Sequence, residues 1–181
     1  MEVEILIWVI LIVAFIVVLY NDLVKLKKLV ENAWSQIDVQ LKRRHDLIPN
    51  LVNSVKGYMK FEQETLEKVM KARAAAISSK DMNEKIKSEN EITGLLSRLF
   101  ALVENYPELK ANENVKQLME ELKKTEDKIA YARQFYNDIV MKYNTRISVF
   151  PTNIVAKMFN FKEASFFKIE EVEREVPNVD I

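Results

Sequence analysis

The feature of this sequence that most constrains its fold is an uninterrupted apolar run near the start, from Ile5 to Leu19. With its flanking residues the run makes a helix of about 20 residues, which at about 1.5 Å per residue spans the roughly 30 Å hydrocarbon core of a bilayer. A buried core helix would carry a polar stripe, and a signal peptide would begin with Lys or Arg and end in small residues. Residues 5–19 carry no polar stripe, because every one of them is apolar. The run also lacks the features of a signal peptide, since Glu2 and Glu4 precede it and Tyr20 follows it. The run therefore predicts an uncleaved transmembrane helix.

The predicted anchor covers residues 1–21 and contacts the lipid bilayer through residues 5–19. Basic residues follow the anchor and none precedes it; they are Lys25, Lys27, Lys28, Lys42, Arg43 and Arg44. Segments rich in Lys and Arg next to a span stay in the cytoplasm. We therefore expect a single-pass protein of the cytoplasmic membrane, with its N-terminus outside and the rest of the chain cytoplasmic.

The residues after the anchor have the pattern of long helices. Glycine and proline number only 2 and 4 among 181 residues, so turns are few. Apolar residues recur every three or four positions through four segments, which predicts amphipathic helices. These segments cover residues 23–58, 62–76, 86–103 and 115–147. We predict an all-α protein in which residues 22–150 form an antiparallel four-helix bundle behind the transmembrane helix.

The helix boundaries follow from glycine, proline and capping residues. Gly57 either ends the first long helix or lies inside one that continues into the second. Residues 78–81 form a plausible turn, and Pro107 closes the third helix. Asn112 or Asn114 can cap the last helix, because a side-chain oxygen there accepts from the free amides of the first turn.

The chain after the bundle differs in composition. Residues 151–181 first carry a cluster of aromatic side chains and then a run of acidic ones. These residues are Phe159, Phe161, Phe166 and Phe167, followed by Glu170, Glu171, Glu173 and Glu175. We predict a short helix and then an extended acidic C-terminal arm.

Composition excludes several classes of function. Cysteine is absent, so the chain has no disulfide, thiolate metal site or cysteine nucleophile. Lys plus Arg and Asp plus Glu both number 27, and no nucleic-acid-binding signature is present, so we expect no nucleic-acid partner. His45 is the only histidine, whereas a carboxylate-bridged di-metal site in a bundle uses two. We therefore predict no catalytic residue, no metal site and no cofactor.

The densest group of functional side chains is Arg43, Arg44, His45 and Asp46. His45 beside Asp46 suggests a base with its orienting carboxylate, but adjacent side chains on a helix point about 100° apart. A structural polar layer or a contact with a partner or lipid headgroup explains the group better. Pro49 lies one turn later and lacks an N–H, so it should kink the helix and leave the His45 carbonyl to another donor.

Two charged residues interrupt apolar stripes at positions that could face each other. Arg44 lies between Leu41 and Ile48 on the first long helix, and Glu126 lies in the stripe of the last helix. If these helices run antiparallel with Tyr20 level with the end of the last one, Arg44 lies opposite Glu126. The pair would then fix helix register more than it would add stability.

The chain resembles the LemA family along essentially its whole length. The resemblance is carried by the anchor, by Tyr20-Asn21, and by residues 30–52, 104–110, 133–137 and 150–153. Residues 30–52 read VENAWSQIDVQLKRRHDLIPNLV. It implies a helical bundle tethered to a prokaryotic cytoplasmic membrane, with no established enzymatic activity. Relatives are often encoded beside membrane-bound zinc metallopeptidases, and some occur among magnetosome-membrane proteins, which implies an organising or adaptor role.

We interpret the chain as a membrane-anchored scaffold or adaptor that binds membrane proteins, a membrane-bound zinc metallopeptidase being one candidate, or that self-associates as a homo-oligomer. The alternatives are a metal-binding enzyme that uses His45 and carboxylates, and a bundle that binds the lipid surface. The candidate residues for the polar layer or a partner contact are Arg43, Arg44, His45, Asp46, Pro49, Asn50, Glu126, Arg133 and Asn137.

Overall fold

A computed structural model describes residues 1–168 of the chain. These residues are helical and contain no strand. They divide into two compact units. The first unit combines residues 1–38 with residues 131–166, and the second contains residues 39–130 with Phe167 and Lys168. The predicted acidic run, which begins at Glu170, lies outside the described residues.

Six α-helices and one short 3-10 turn account for the secondary structure of residues 1–168. The helices are α1 (Glu2–Val55), α2 (Gln63–Ser78), α3 (Met82–Val103), α4 (Pro107–Ala111), α5 (Glu113–Ser148) and α6 (Thr152–Met158), and the 3-10 turn is Lys60–Glu62.

Helix α1 contains both the apolar run and the first amphipathic segment. It continues through Pro49 and ends at Val55, so Gly57 lies in the following turn rather than inside a longer helix. The amides of Tyr58 and Met59 both donate to the Val55 carbonyl at 3.0 Å. This turn separates α1 from α2, so the first two helices are not continuous through Gly57.

Asparagine and aspartate side chains begin two of the later helices. The Asp81 carboxylate accepts from the amides of Asn83 and Glu84 at the start of α3. Asn112, rather than Asn114, caps α5, because its side-chain oxygen accepts from the amides of Asn114 and Val115. These bonds satisfy amides that have no partner within the helix.

Pro107 starts a helix in addition to following one. Helix α3 ends at Val103, and Pro107 is the first residue of α4, which the sequence did not predict. Proline suits this position because its missing N–H would have no helical partner there. Leu109 of α4 is buried in the core of the second unit.

In the first unit, the apolar segment of α1 is exposed over most of its length. Ile16 and Leu19 are the exceptions, since they pack with residues of α5 and α6. The buried members of this small core are Leu19, Leu23, Tyr143, Ile147, Val155 and Ala156. Further along the same unit, the rings of Trp34 and Tyr136 meet edge to face with centroids 5.5 Å apart.

The chain after α6 is held against α5 by side-chain bonds to its backbone. The hydroxyls of Tyr136 and Tyr143 donate to the carbonyls of Ser165 and Lys162, both at 2.9 Å. Asn144 donates to the Ala164 carbonyl and accepts from the Ala164 amide, also at 2.9 Å. These bonds fix residues 162–165, which have no helical or strand structure of their own.

The second unit has a continuous apolar core. Helices α1, α2 and α3 contribute most of it, and α4 and α5 complete it. Its fully buried side chains include Ile48, Leu51, Val55, Met59, Val69, Ile92, Leu99, Leu109, Val115 and Leu122. One end of this core adjoins a set of buried charges on α1 and α3.

Candidate functional site

The second unit contains a buried group of charged and polar side chains, here named the Arg44 cluster. It consists of Arg44 and His45 of α1, Arg73 of α2, Glu89 and Thr93 of α3, and Glu126 of α5. The side chains of Arg44 and Glu89 have no exposed surface. Charges removed from water in this way must be paired and hydrogen-bonded, because the desolvation of an ion costs several kcal/mol or more.

The Arg44 guanidinium bonds to side chains from two other helices. Its Nη1 atom donates to Glu126 Oε1 at 2.7 Å and to Thr93 Oγ1 at 2.8 Å. Its Nη2 atom donates to the carboxylate of Glu89, and to the Glu89 carbonyl at 3.0 Å. Thr93 in turn donates to Glu126 Oε2 at 2.9 Å. The Arg44 guanidinium of α1 therefore bonds to both α3 and α5.

Glu89 is the carboxylate shared by Arg44 and His45. His45 Nε2 lies 3.0 Å from Glu89 Oε1 and 3.3 Å from Oε2. Burial raises the pKa of the Glu89 carboxyl, but the hydrogen bond with His45 and the charge of Arg44 outweigh burial, so the pKa lies below its ordinary value. Glu89 is thus held as an anion inside the second unit.

Arg73, which also belongs to the cluster, replaces the hydrogen-bond donor that Pro49 lacks. In an α-helix, the His45 carbonyl would accept from the amide of residue 49, and proline has no such amide. Arg73 Nε donates to this carbonyl at 2.6 Å. The donor that the sequence left unspecified is therefore a side chain of α2. The predicted kink at Pro49 stays a prediction.

Three of the remaining candidate residues are exposed on the second unit. Arg43 is exposed and forms an ion pair with Glu121 of α5. Asp46 and Asn50 are exposed on α1, so the carboxylate that contacts His45 is that of Glu89 and not that of its sequence neighbour.

Two further candidates belong to the first unit. Arg133 is buried and Asn137 is half-buried on α5. The Arg44 cluster belongs to the second unit.

Sequence reasoning missed three members of the cluster. Glu89 interrupts the apolar stripe of α3 between Ile86 and Ile92, and Thr93 lies one helical turn after it. This is the same signal that drew attention to Arg44 and Glu126. Arg73 follows Leu66 and Val69 in the apolar stripe of α2, and nothing in the sequence indicated that it would contact the His45 carbonyl.

The cluster connects α1, α3 and α5 through hydrogen bonds and ion pairs. The guanidinium of Arg44 faces two carboxylates, and its Nη1 and Nη2 atoms donate to protein acceptors. Within residues 1–168, no group of three or more His, Asp or Glu side chains is placed to hold a metal ion. The geometry supports a fixed register between α1, α3 and α5.

Comparison with known proteins identifies the relatives of this chain. Residues 33–181 match the LemA family, which is most of the sequence. The chain belongs to the LemA family. Protein LemA of Metamycoplasma hominis is 30% identical over 155 residues, covering 85% of this chain and 71% of that relative. Magnetosome protein MamQ 2 of Paramagnetospirillum magneticum is 27% identical over 186 residues, covering 87% of this chain and 68% of that relative. The Arg44 cluster of this LemA protein lies within the matched region.

We predict that Arg44→Met destabilises the protein by about 3–5 kcal/mol, because it leaves two carboxylates without their buried cation. Adding Glu89→Met and Glu126→Leu should restore part of the loss, since the unpaired charges are then removed as well. Denaturant unfolding of the full chain in detergent micelles, followed by circular dichroism, measures these free energies.

The matched control is Arg43→Met, which removes the neighbouring arginine from an exposed ion pair and should change stability by at most about 1 kcal/mol. Additive losses in the combined variant, or an equal loss in both arginine variants, would contradict the assignment of Arg44 as a buried coupling residue.

We also predict that Arg73→Met costs about 1–3 kcal/mol, because the His45 carbonyl then has no donor. Pro49→Ala restores a backbone amide at the position where an α-helix supplies that donor. In the Pro49→Ala background, Arg73→Met should therefore cost much less than in the natural chain. The same unfolding measurement tests the pair, and an equal cost of Arg73→Met in both backgrounds would refute the compensation.

Proposed function

We propose that this LemA protein is a membrane-anchored helical scaffold that binds other membrane proteins or further copies of itself. The observation that carries the proposal is the continuity of α1 in the first unit, where the exposed apolar segment runs without a break into residues that pack against α5. The apolar segment is long enough to cross a membrane, and only 6% of it is buried inside the protein. Because α1 continues from the proposed span without a break, it would fix the position and orientation of a bound partner relative to the membrane.

A place in the cytoplasmic membrane with the N-terminus outside follows from the charge distribution. Glu2 and Glu4 precede the apolar segment, whereas Lys25, Lys27 and Lys28 follow it closely. The positive-inside tendency then directs the residues after the span to the cytoplasm. The resemblance to magnetosome proteins is consistent with a membrane location.

We further propose that the helices form an antiparallel four-helix bundle. In the first unit, Asp22 pairs with Arg146 at 2.7 Å, and Trp34 contacts Tyr136. Residue numbers therefore rise along α1 while they fall along α5, as two antiparallel helices require. In the second unit, the Arg44 cluster draws on α1, α2, α3 and α5, one residue or more from each helix of the proposed bundle.

Partner contacts are proposed for exposed aromatic side chains outside the apolar segment. Phe61, in the 3-10 turn of the second unit, is 95% exposed, and Tyr131, on α5 in the first unit, is 74% exposed. Aromatic residues supply much of the binding energy at protein interfaces. We propose no catalytic step, and the candidate partners are membrane proteins, including a membrane-bound zinc metallopeptidase, or a second copy of the chain.

Photo-crosslinking in intact membranes tests the scaffold. A photoreactive phenylalanine analogue placed at position 61 or 131 should give discrete adducts with another membrane protein or with a second copy. The same analogue at Lys71, an exposed polar position on α2, provides the control. Adducts at positions 61 and 131 that are no more frequent or discrete than those at position 71 would contradict a scaffold that uses these surfaces.

A further inference from the structure

Helix α6 in the first unit has an apolar face that the protein does not cover. Ile154 and Met158 lie one helical turn apart on α6 and are both 58% exposed, and Phe150, which precedes the helix, is 78% exposed. The opposite face carries Val155 and Ala156, which are buried. A short helix that is apolar on its buried face and on its exposed face needs an apolar neighbour on both sides.

Helix α6 packs through its buried face against the end of the apolar segment of α1. Val155 and Ala156 share a core with Leu19, and Ile16 packs against that core. On the same side, the ring of Phe159 lies 4.7 Å from that of Tyr20, measured between centroids. Leu19 and Tyr20 mark the last turn of the span proposed above. Helix α6 is therefore at the level where a spanning helix leaves the hydrocarbon.

The charged residues nearest to α6 on either side in the sequence are basic, as an anionic lipid surface would require. Residues 139–162 contain Lys142, Arg146, Lys157 and Lys162 and no Asp or Glu. Arg146 is paired with Asp22, whereas the side chain of Lys157 is exposed on α6 itself. Basic residues close to a span are attracted to the negative surface of the cytoplasmic leaflet.

We infer that α6 lies in the bilayer interface, with Phe150, Ile154 and Met158 inserted at the boundary between headgroups and acyl chains. Interfacial helices of this kind bury their apolar face about 5–10 Å into that boundary. Lys157 would then contact the headgroups. The inference rests on the proposed membrane span and adds to it a second point of lipid contact, which would fix the rotation of α1 about its own axis.

Single-cysteine labelling is the direct test, because the natural chain has no cysteine to remove. Ile154→Cys and Met158→Cys place an environment-sensitive fluorophore on the proposed interface. Ile12→Cys places it in the middle of the span. Ile77→Cys, an equally exposed apolar position on α2, serves as the aqueous control.

The labelled full-length variants are reconstituted in vesicles of phosphatidylcholine and phosphatidylglycerol. Iodide then reports access from water, and nitroxide lipids labelled near the headgroup or near the acyl-chain end report depth. We expect labels at 154 and 158 to lose most of their iodide quenching relative to the label at 77 and to respond most to the headgroup-proximal nitroxide. The label at 12 should respond most to the deep nitroxide.

The outcomes separate this inference from the proposed span. If the label at 12 responds to the deep nitroxide while those at 154 and 158 remain open to iodide, the span stands and the inference is overturned. Labels at 154 and 158 that are shielded from iodide but insensitive to both nitroxide lipids would indicate a second copy on this face, and would also overturn it. A label at 12 that is insensitive to lipid quenchers would remove the span and the inference together.

Discussion

The burial of Arg44 is the constraint on which the second unit of this LemA protein depends. A guanidinium without exposed surface is tolerated only if acceptors reach it from several directions, and here these come from Glu89, Thr93 and Glu126. Apolar contacts alone would permit helices to slide by one turn with little loss. A shift of one turn would leave the buried cation facing apolar side chains, at a cost of several kcal/mol. We therefore propose that the cluster selects one register of α1, α3 and α5.

The first unit is held together differently, by a small apolar core and by side-chain hydrogen bonds to the backbone. The end of the exposed apolar segment of α1 packs in a small core with residues of α5 and α6. Tyrosine and asparagine side chains of α5 donate to backbone carbonyls of residues 162–165, which follow α6. The burial of Tyr136 and Tyr143 raises the pKa of both hydroxyls, which keeps them protonated as donors. A fixed register in the second unit and a membrane anchor in the first are the two properties that the proposed scaffold requires.

Sequence reasoning predicted the helices and part of the cluster, for reasons that lie in particular residues. Hydrophobic periodicity and few glycines indicated an all-helical chain, and Arg44 and Glu126 stood out because each interrupts an apolar stripe; the structure places them in contact. Glu89 carried the same signal on α3, but nothing in the sequence set the register of α3 against α1. The docking of residues 162–165 was not predictable from pattern, because the acceptors are backbone carbonyls and leave no trace in the residue types.

The most direct test of a buried, ionised cluster is the titration of the Glu89 carboxyl. Carbon NMR of the full chain with labelled glutamate, assigned by loss of the resonance in Glu89→Gln, follows this one group in detergent micelles. We expect Glu89 to be a carboxylate at neutral pH, with a pKa below 4.5, the ordinary value for glutamate. Because the pKa is lowered in the folded protein, its stabilising effect is present above that pH and is lost as the pH falls below it. A Glu89 carboxyl that titrates above 4.5 would contradict the ionic cluster and the register it is proposed to fix.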